Sequence, residues 1–101
     1  MTGIDCLAVL KALSDLTRVR IIRLLLKAPS GVNEIARQLK VSQYNVSKHL
    51  RILCAAKLLE MKKQGRQHVY KVDPNFKSRL AANRNVLNLD CCCFYFDKLP
   101  K

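Results

Sequence analysis

Two short helical patterns separated by three residues constrain this chain more than any other feature. The first, VNEIARQL, carries its apolar side chains at helical spacing, and its Glu34 is placed to close a capping box at the helix start. The second, QYNVSKHLRILCAAK, follows Ser42, a residue type that caps helices well, and its apolar side consists of Val46, Leu50 and Leu53. Because only KVS separates the two patterns, the stretch predicts a helix-turn-helix.

Two further helices are predicted before this pair. The second of them, SDLTRVRIIRLLLKA, begins after Asp15 or Thr17 as its N-terminal cap and ends at the breaking run Pro29, Ser30 and Gly31. The apolar stripes consist of Ile4, Leu7, Ala8 and Leu10 in the first helix and Val19, Ile22, Leu25 and Leu26 in the second. Each helix therefore has one apolar face to bury.

Beyond the helix-turn-helix the periodicity changes from helical to alternating. The stretch LLEMKKQGRQHVYKVD alternates on both sides of a polar turn at Gln64-Gly65, which is typical of a two-stranded hairpin. Asp73 caps a last helix that opens with Pro74. Its predicted apolar face consists of Phe76, Leu80 and Leu87. The predicted fold class is therefore mainly α with a small β-hairpin, a winged helix-turn-helix of four helices, a hairpin and a fifth helix. Residues 1–90 are predicted to form one domain, and residues 91–101 a cysteine-rich tail.

Positive charge is concentrated around the helix-turn-helix and the hairpin. The 101 residues include 19 Lys and Arg against 7 Asp and Glu, a net charge of +12, which favours a polyanionic partner. Residues 31–71 hold nine basic residues and two acidic ones, hence a net charge of +7. A merely solvated basic face is the alternative, but in a helix-turn-helix these charges lie on the binding surface. We therefore expect double-stranded DNA as the partner.

The second helix of such a pair enters the major groove, and its outward side chains read the bases. Gln43 and Asn45 can each pair bidentately with adenine, and Tyr44 can contact a thymine methyl group. The basic hairpin tip is expected on neighbouring phosphates or in the minor groove, with a lysine-rich solvent turn as the alternative. For His49, packing between helices is the alternative to a contact with the DNA backbone. The predicted DNA-binding residues are Gln43, Tyr44, Asn45, Ser47, Lys48, His49 and Arg51 on the helix and Lys62, Lys63 and Arg66 on the hairpin.

Three segments of the chain closely resemble the ArsR/SmtB family of bacterial metal- and stress-responsive repressors. They are LKALSDLTRVRIIRLLL, VNEIARQLKVSQYNVSKHLRIL and GRQHVYKVD, and the resemblance covers roughly residues 7–73. It implies a homodimer formed through the first and last helices, around Leu7 and Leu80. It also implies binding to imperfect palindromes in an operator and release when an inducer binds. By the same resemblance, the base-reading role falls to Gln43, Asn45, Ser47, Lys48 and His49.

The chain departs from the family pattern at both familiar inducer sites. The third helix has NEIAR where arsenic and cadmium sensors often carry a cysteine pair, and the final helix lacks the His, Asp and Glu ligands of zinc and nickel sensors. Leu16 also stands where the family usually has proline. An inducer site, if the chain has one, must therefore use other residues.

Adjacent cysteines at positions 91, 92 and 93 are the candidate inducer ligands. Neighbouring side chains lie about 100° apart on a helix and on opposite faces of a strand, so three thiolates from this run cannot share one ion without strain. Two of them with Cys6 would form a better site. Thiolates favour Cu(I), Zn or Cd-like ions, and As(III) or Sb(III), the inducer class that the resemblance indicates, fits the same chemistry.

Two other roles for the cysteines remain open. The thiols can form a redox or persulfide switch, with disulfides between neighbours or between Cys6 and the tail. Alternatively, the tail packs through Phe94, Phe96 and Leu99 while the cysteines act as small hydrophobic residues. Cys54, on the reading helix, is expected in the core rather than as a ligand. A constitutive DNA-binding protein without any inducer is a further alternative.

Other functional classes receive little support from the sequence. A Cys/His nucleophile needs a histidine beside a thiolate, and the two histidines, His49 and His68, lie on the reading helix and the hairpin. The chain has no Gly-rich phosphate loop or H-E-x-x-H motif, so we expect no enzyme and no cofactor requirement for DNA binding. It shows neither a secretory signal nor an apolar run of membrane-spanning length, and its five cysteines are an odd number. These features predict a cytoplasmic protein with reduced thiols.

Overall fold

The computed structural model describes residues 5–80, 86–88 and 93–98. Its helices are α1 (Cys6–Ala12), α2 (Leu16–Lys27), α3 (Val32–Leu39), α4 (Gln43–Ala55) and α5 (Pro74–Ser78). Its strands are β1 (Ser30–Gly31), β2 (Leu59–Gln64), β3 (Gln67–Val72), β4 (Val86–Asn88) and β5 (Cys93–Tyr95), followed by a 3-10 turn over Phe96–Lys98. The helix-turn-helix and the hairpin lie where the sequence predicts them, so the winged helix-turn-helix fold is confirmed.

Side-chain oxygens cap the first turns of four helices. Asp5, Asp15 and Asp73 accept backbone N–H hydrogen bonds from the first turns of α1, α2 and α5. Ser42 does the same at the start of α4. These bonds satisfy N–H groups that have no partner within a helix, and they set where each helix begins. Of the two caps predicted for α2, Asp15 rather than Thr17 is the one used.

α3 begins without a side-chain cap. Gly31 precedes it in extended conformation, and the Glu34 carboxylate pairs with Arg37 one turn later, so the predicted capping box is not formed. Gly31 instead pairs with Val69 as part of β1. A Cβ at Gly31 would lie 3.3 Å from the carbonyl oxygen of His68, so glycine permits the close approach of these two backbones.

The wing is an antiparallel hairpin of β2 and β3. Its register runs from Leu59 opposite Val72 to Gln64 opposite Gln67, and Gly65, at φ +62°, makes the turn. The two-residue strand β1 adds to the outer edge of β3, giving the strand order β1-β3-β2. The sequence predicted a helix break at β1 but not this third strand.

The apolar core forms where α2, α3 and α4 pack together and against the sheet. Ile21, Ile22, Ile35, Leu50 and Leu53 are each 0% exposed. Burying a large aliphatic side chain stabilises a fold by roughly 1.5–3 kcal/mol, so these contacts hold α3 and α4 in one relative position.

The predicted length of the last helix is wrong. α5 ends at Ser78, where i to i−3 hydrogen bonds, from Arg79 N–H to Phe76 O and from Leu80 N–H to Lys77 O, close the final turn. Leu80 then forms an antiparallel bridge with Leu87, and β4 pairs with β5. Leu87 is buried, as the apolar spacing predicted, but on a strand. A spacing of seven residues does not distinguish a continuous helix from a turn and a strand that bury the same side chain.

Candidate nucleic-acid interface

α4 has a buried side and an exposed polar side. Val46, Leu50 and Leu53 are each 0% exposed, which fixes the rotation of the helix about its axis. The opposite side presents six of the predicted DNA-binding residues, all exposed. They are Gln43, Tyr44, Asn45, Ser47, Lys48 and Arg51. The residues that sequence analysis assigned outward therefore share one surface.

The start of α4 offers amide and aromatic groups to a ligand. Tyr44 is 76% exposed, an unusual position for a large aromatic side chain, and Gln43 and Asn45 flank it. Ser42 caps this end of the helix, since its hydroxyl oxygen accepts a hydrogen bond of 3.2 Å from Asn45 N–H. The positive end of the helix dipole lies at the same place, which favours an anionic partner.

The wing carries a second set of exposed cations. Lys62, Lys63 and Arg66 are exposed around the turn, and His68 is exposed beside them. The wing tip and the start of α3 line a cleft of about 410 Å³, with Asn33 on the helix side and Arg66 on the wing side. Asn33 was not among the predicted DNA-binding residues. Its position in the first turn of the leading helix, which crosses the DNA backbone in this motif, could have identified it.

His49 differs from the other predicted DNA-binding residues. Its side chain is half-buried, and its Nδ1 lies 3.3 Å from a terminal guanidinium nitrogen of Arg18 on α2. The imidazole therefore packs between helices, which is one of the two roles that the sequence predicted for it. Its second ring nitrogen is the only one left for any contact with DNA.

Arg18 connects three helices and was not singled out by the sequence. Its Nε donates to the carbonyl oxygen of Ala12, and a terminal nitrogen donates to that of Lys11, both at the end of α1. The other terminal nitrogen contacts His49 on α4. Positive charge at the carbonyl end of a helix is favourable, so Arg18 both completes α1 and anchors α4 to it.

The predicted cysteine ligands are not brought together within the described residues. Cys6, half-buried on α1, is disulfide-bonded, and Cys93 on β5 is an exposed free thiol. Cys91 and Cys92 lie outside the described residues. Across residues 5–80, 86–88 and 93–98, no group of three His, Cys, Asp or Glu side chains has the geometry to bind a metal ion.

Cys54 lies against the core beside Tyr70. It is half-buried and free, and burial raises the pKa of its thiol because the thiolate would lose hydration there. Burial likewise raises the pKa of Tyr70, with a smaller contribution from the proximity of Cys54. A neutral thiol packed in this way agrees with the predicted core role.

Comparison with known proteins identifies the family. A family model described as bacterial regulatory protein, arsR family, matches residues 15–60, which extend from the cap of α2 into β2. The chain is 41% identical over 78 residues to the HTH-type transcriptional regulator Rv2034 of Mycobacterium tuberculosis, covering 77% of this chain and 70% of that protein. The chain belongs to the arsR family.

Two further comparisons extend over more of the chain or reach a solved structure. The arsenical resistance operon repressor of Staphylococcus xylosus is 27% identical over 88 residues, covering 84% of this chain and 85% of that protein. The structure of reduced HlyU from Vibrio cholerae N16961 matches with a TM-score of 0.64 and 28% identity, over 67% of this chain and 72% of that chain.

Membership of the arsR family makes this chain a transcriptional regulator rather than an enzyme, as the sequence predicted. Within its described residues, none of the helices is both long and apolar enough to span a bilayer.

Proposed function

We propose that this arsR-family chain is a cytoplasmic repressor that binds an imperfect palindromic operator as a homodimer. The observation that supports it most strongly is the two-sided character of α4. One side is held by three fully buried residues, while the other presents exposed polar and basic side chains, and the wing that follows α4 in the chain carries exposed cations. A helix fixed in this way enters the major groove without losing its packing.

In this proposal the first turn of α4 reads the bases. Gln43 and Asn45 pair with adenine edges, and the exposed ring of Tyr44 contacts a thymine methyl group. Ser47, Lys48 and Arg51 contact phosphates from the following turns. Base contacts of this kind set sequence preference, whereas phosphate contacts set affinity and register.

The wing and His49 have supporting roles. Lys62, Lys63 and Arg66 are placed to follow the backbone beside the major groove, or to enter the minor groove. His49 orients α4 through its contact with Arg18, and its other ring nitrogen contacts a phosphate.

Dimerisation follows from the need to read two half-sites about one helical turn apart. Leu7, on α1, is 79% exposed, and a second copy of the chain would remove it from water. Leu80 is half-buried in its bridge with Leu87, so it contributes less apolar surface than a long final helix would have offered. We therefore place α1 at the centre of the dimer interface.

Measurement of DNA binding by fluorescence anisotropy tests the proposal. Duplexes selected by the protein from a random-sequence pool should bind with an affinity that falls steeply with salt. Lys48→Gln should weaken binding to every duplex and reduce the magnitude of the salt slope, while Gln43→Ala should relax preference at one base pair, worth about 1–3 kcal/mol. Lys77→Gln, an exposed change on α5 at the end of the sheet away from the wing tip, is the control. A wild-type chain that binds no duplex at low salt would refute the proposal.

For the inducer, we propose As(III), Sb(III) or a soft metal ion bound by cysteines of the C-terminal segment together with Cys6. The similarity to an arsenical resistance operon repressor supports the metalloid class. Reduced thiolates at positions 91, 92 and 93 provide the soft ligands that such ions prefer. Because Cys6 also lies on the proposed interface helix α1, binding of an ion there would alter the distance between the α4 helices of the two protomers.

A thiol-redox response is the second candidate, and one observation favours it. Cys6 is disulfide-bonded in the structure, and a sulfur in a disulfide is no longer a thiolate ligand. In this reaction two thiols form one S–S bond and release two protons and two electrons, and the electrons reduce a peroxide to water. Reduction by a dithiol reverses it.

One titration separates the two candidates. The reduced protein–DNA complex is treated with As(III), Cd(II), Zn(II) or hydrogen peroxide at constant salt. Release by As(III) that is lost when Cys91, Cys92 or Cys93 is replaced by serine supports the metalloid inducer. Release by peroxide that is reversed by dithiothreitol and lost in Cys6→Ser supports the redox switch. Cys54→Ser is the matched control, and a complex unaffected by all four reagents would leave a constitutive DNA-binding protein.

A further inference from the structure

The two helices of the helix-turn-helix both end at a lysine in left-handed conformation. Lys40, after α3, has φ +57°, and Lys57, after α4, has φ +64°. The following residue in each case closes the same motif, with Val41 N–H donating to Ala36 O at 3.1 Å and Leu58 N–H donating to Leu53 O at 3.0 Å. Glycine is the usual residue at this position because a Cβ is strained there. Two strained lysines in equivalent motifs require an explanation.

The surroundings of Lys40 direct its side chain outward. The residues on either side, Leu39 and Val41, are half-buried and pack against the core, while Lys40 is exposed. In the part of the chain that the structure describes, Lys40 takes part in no ion pair, since Glu34 and Glu60, the acids in the two pairs observed, contact other cations. Its ammonium group is therefore available to a ligand.

Lys40 also lies at the end of α4 that carries the base-reading side chains. It precedes the cap residue Ser42 by two positions, and exposed Gln43 follows the cap. Lys57 follows the C-terminal end of this 13-residue helix, about 20 Å away along the helix axis. The two lysines share backbone strain, exposure and charge, but only Lys40 is next to the reading surface.

We propose that Lys40 binds a DNA phosphate beside the reading end of α4, and that this contact is the reason a lysine occupies a position that glycine would fill with less strain. The inference rests on the proposed DNA-binding function and adds a residue to it. Strain retained at an exposed turn is characteristic of functional positions. The competing explanation is that a cation stabilises the carbonyl end of the preceding helix. That explanation applies equally to Lys57.

Four variants of the full-length chain separate the explanations. Lys40→Gly and Lys57→Gly relieve the strain, and Lys40→Gln and Lys57→Gln remove the charge while they keep the strained backbone. Binding is measured by fluorescence anisotropy against a random-sequence duplex of about 30 base pairs, long enough for two half-sites, over a range of salt concentrations. Thermal unfolding of each variant without DNA is the second measurement.

We expect both glycine variants to unfold at a higher temperature than the wild type. Lys40→Gly and Lys40→Gln should both bind DNA on the order of ten-fold more weakly at 0.1 M salt or below. The slope of log affinity against log salt concentration should be smaller in magnitude by about one per protomer. Lys57→Gly and Lys57→Gln should bind as the wild type does. Wild-type affinity and slope in both Lys40 variants would overturn the inference while leaving the DNA-binding proposal intact. A wild-type chain that does not bind the duplex would overturn both.

Discussion

A guanidinium nitrogen of Arg18 and Nδ1 of His49 lie 3.3 Å apart, joining α2 to the proposed recognition helix. The same guanidinium group donates to two carbonyl oxygens at the end of α1. A single side chain therefore connects the helix that carries Cys6 with the helix that carries the reading residues. We expect a displacement of α1 to disturb this contact with α4.

Replacing Arg18 should destabilise the fold and reorient α4. Arg18→Met keeps most of the aliphatic stem but removes the donors to Ala12, Lys11 and His49, which should cost about 1–3 kcal/mol. Urea unfolding monitored by circular dichroism measures this loss. Arg20→Met, which removes a half-buried arginine on the same helix, is the control. Equal stability of the two variants would show that the three-helix contact contributes nothing.

The cap at Ser42 should contribute to stability and to DNA binding separately. Ser42→Ala removes the acceptor for Asn45 N–H and should lower the free energy of unfolding by about 1 kcal/mol. Ser42→Asp keeps the cap, so stability should be retained, but it places a carboxylate at the proposed phosphate contact and should weaken DNA binding. Chemical denaturation and anisotropy on both variants check the two effects. Tight DNA binding by Ser42→Asp would contradict the orientation of α4 proposed above.

The paired strands β4 and β5 should be part of the folding unit. Leu87 is 0% exposed, so Leu87→Ala should cost about 2–5 kcal/mol through lost burial and a residual cavity. Leu16→Ala, at a residue 46% exposed, is the comparison and should cost much less. Thermal unfolding of both variants measures the difference. A negligible effect at Leu87 would mean that β4 does not contribute to the core.

Leu7 should control dimerisation rather than folding. Because this side chain is 79% exposed, Leu7→Glu should leave the fold intact while placing a charge at the proposed interface. Sedimentation velocity should then report a monomer at concentrations where the wild type is a dimer, and operator affinity should fall sharply. Exposed Lys11→Gln, which lowers the charge by the same one unit one turn away at the edge of that surface, is the control. Wild-type dimerisation in Leu7→Glu would place the interface elsewhere.

The thiols at Cys54 and Cys93 should react at different rates. Because burial raises the pKa of Cys54 above its usual value of 9.0, its thiolate fraction is lower than that of an ordinary cysteine at pH 8. Its alkylation by iodoacetamide should be slow and should accelerate as the pH rises past 9. Cys93, an exposed free thiol, should react faster. Peptide mass spectrometry of the folded chain distinguishes the sites, and denatured protein should show the two rates converge.

The same raised pKa predicts a pH dependence of stability. A folded-state pKa above the unfolded value means that the fold favours the neutral thiol. The contribution of Cys54 to the free energy of unfolding is therefore complete below pH 9.0, and it is lost as the pH rises through the folded-state pKa. Cys54→Ala should remove this part of the alkaline destabilisation.

Local signals alone were enough to predict the helix-turn-helix and the wing. The limits of α3 follow from a short apolar period, and Ser42 and Asp73 act as the predicted caps because capping depends only on the adjacent backbone. Gly65 makes the hairpin turn for an equally local reason, its positive φ. The exposed side of α4 followed as well, since a helix with Val46, Leu50 and Leu53 buried must turn its remaining side chains to solvent.

Tertiary structure decided what local patterns leave open. Arg18 contacts His49 across 31 positions of sequence, and β1 is a strand only because β3 lies beside it; neither contact has a local signal. Leu87 shows the same distinction: its apolar character determined that it would be buried, but whether a helix or a strand buried it depended on long-range packing. Side-chain chemistry and backbone capping are properties of neighbouring residues, whereas strand pairing and contacts between helices depend on free energy gained only when distant segments meet.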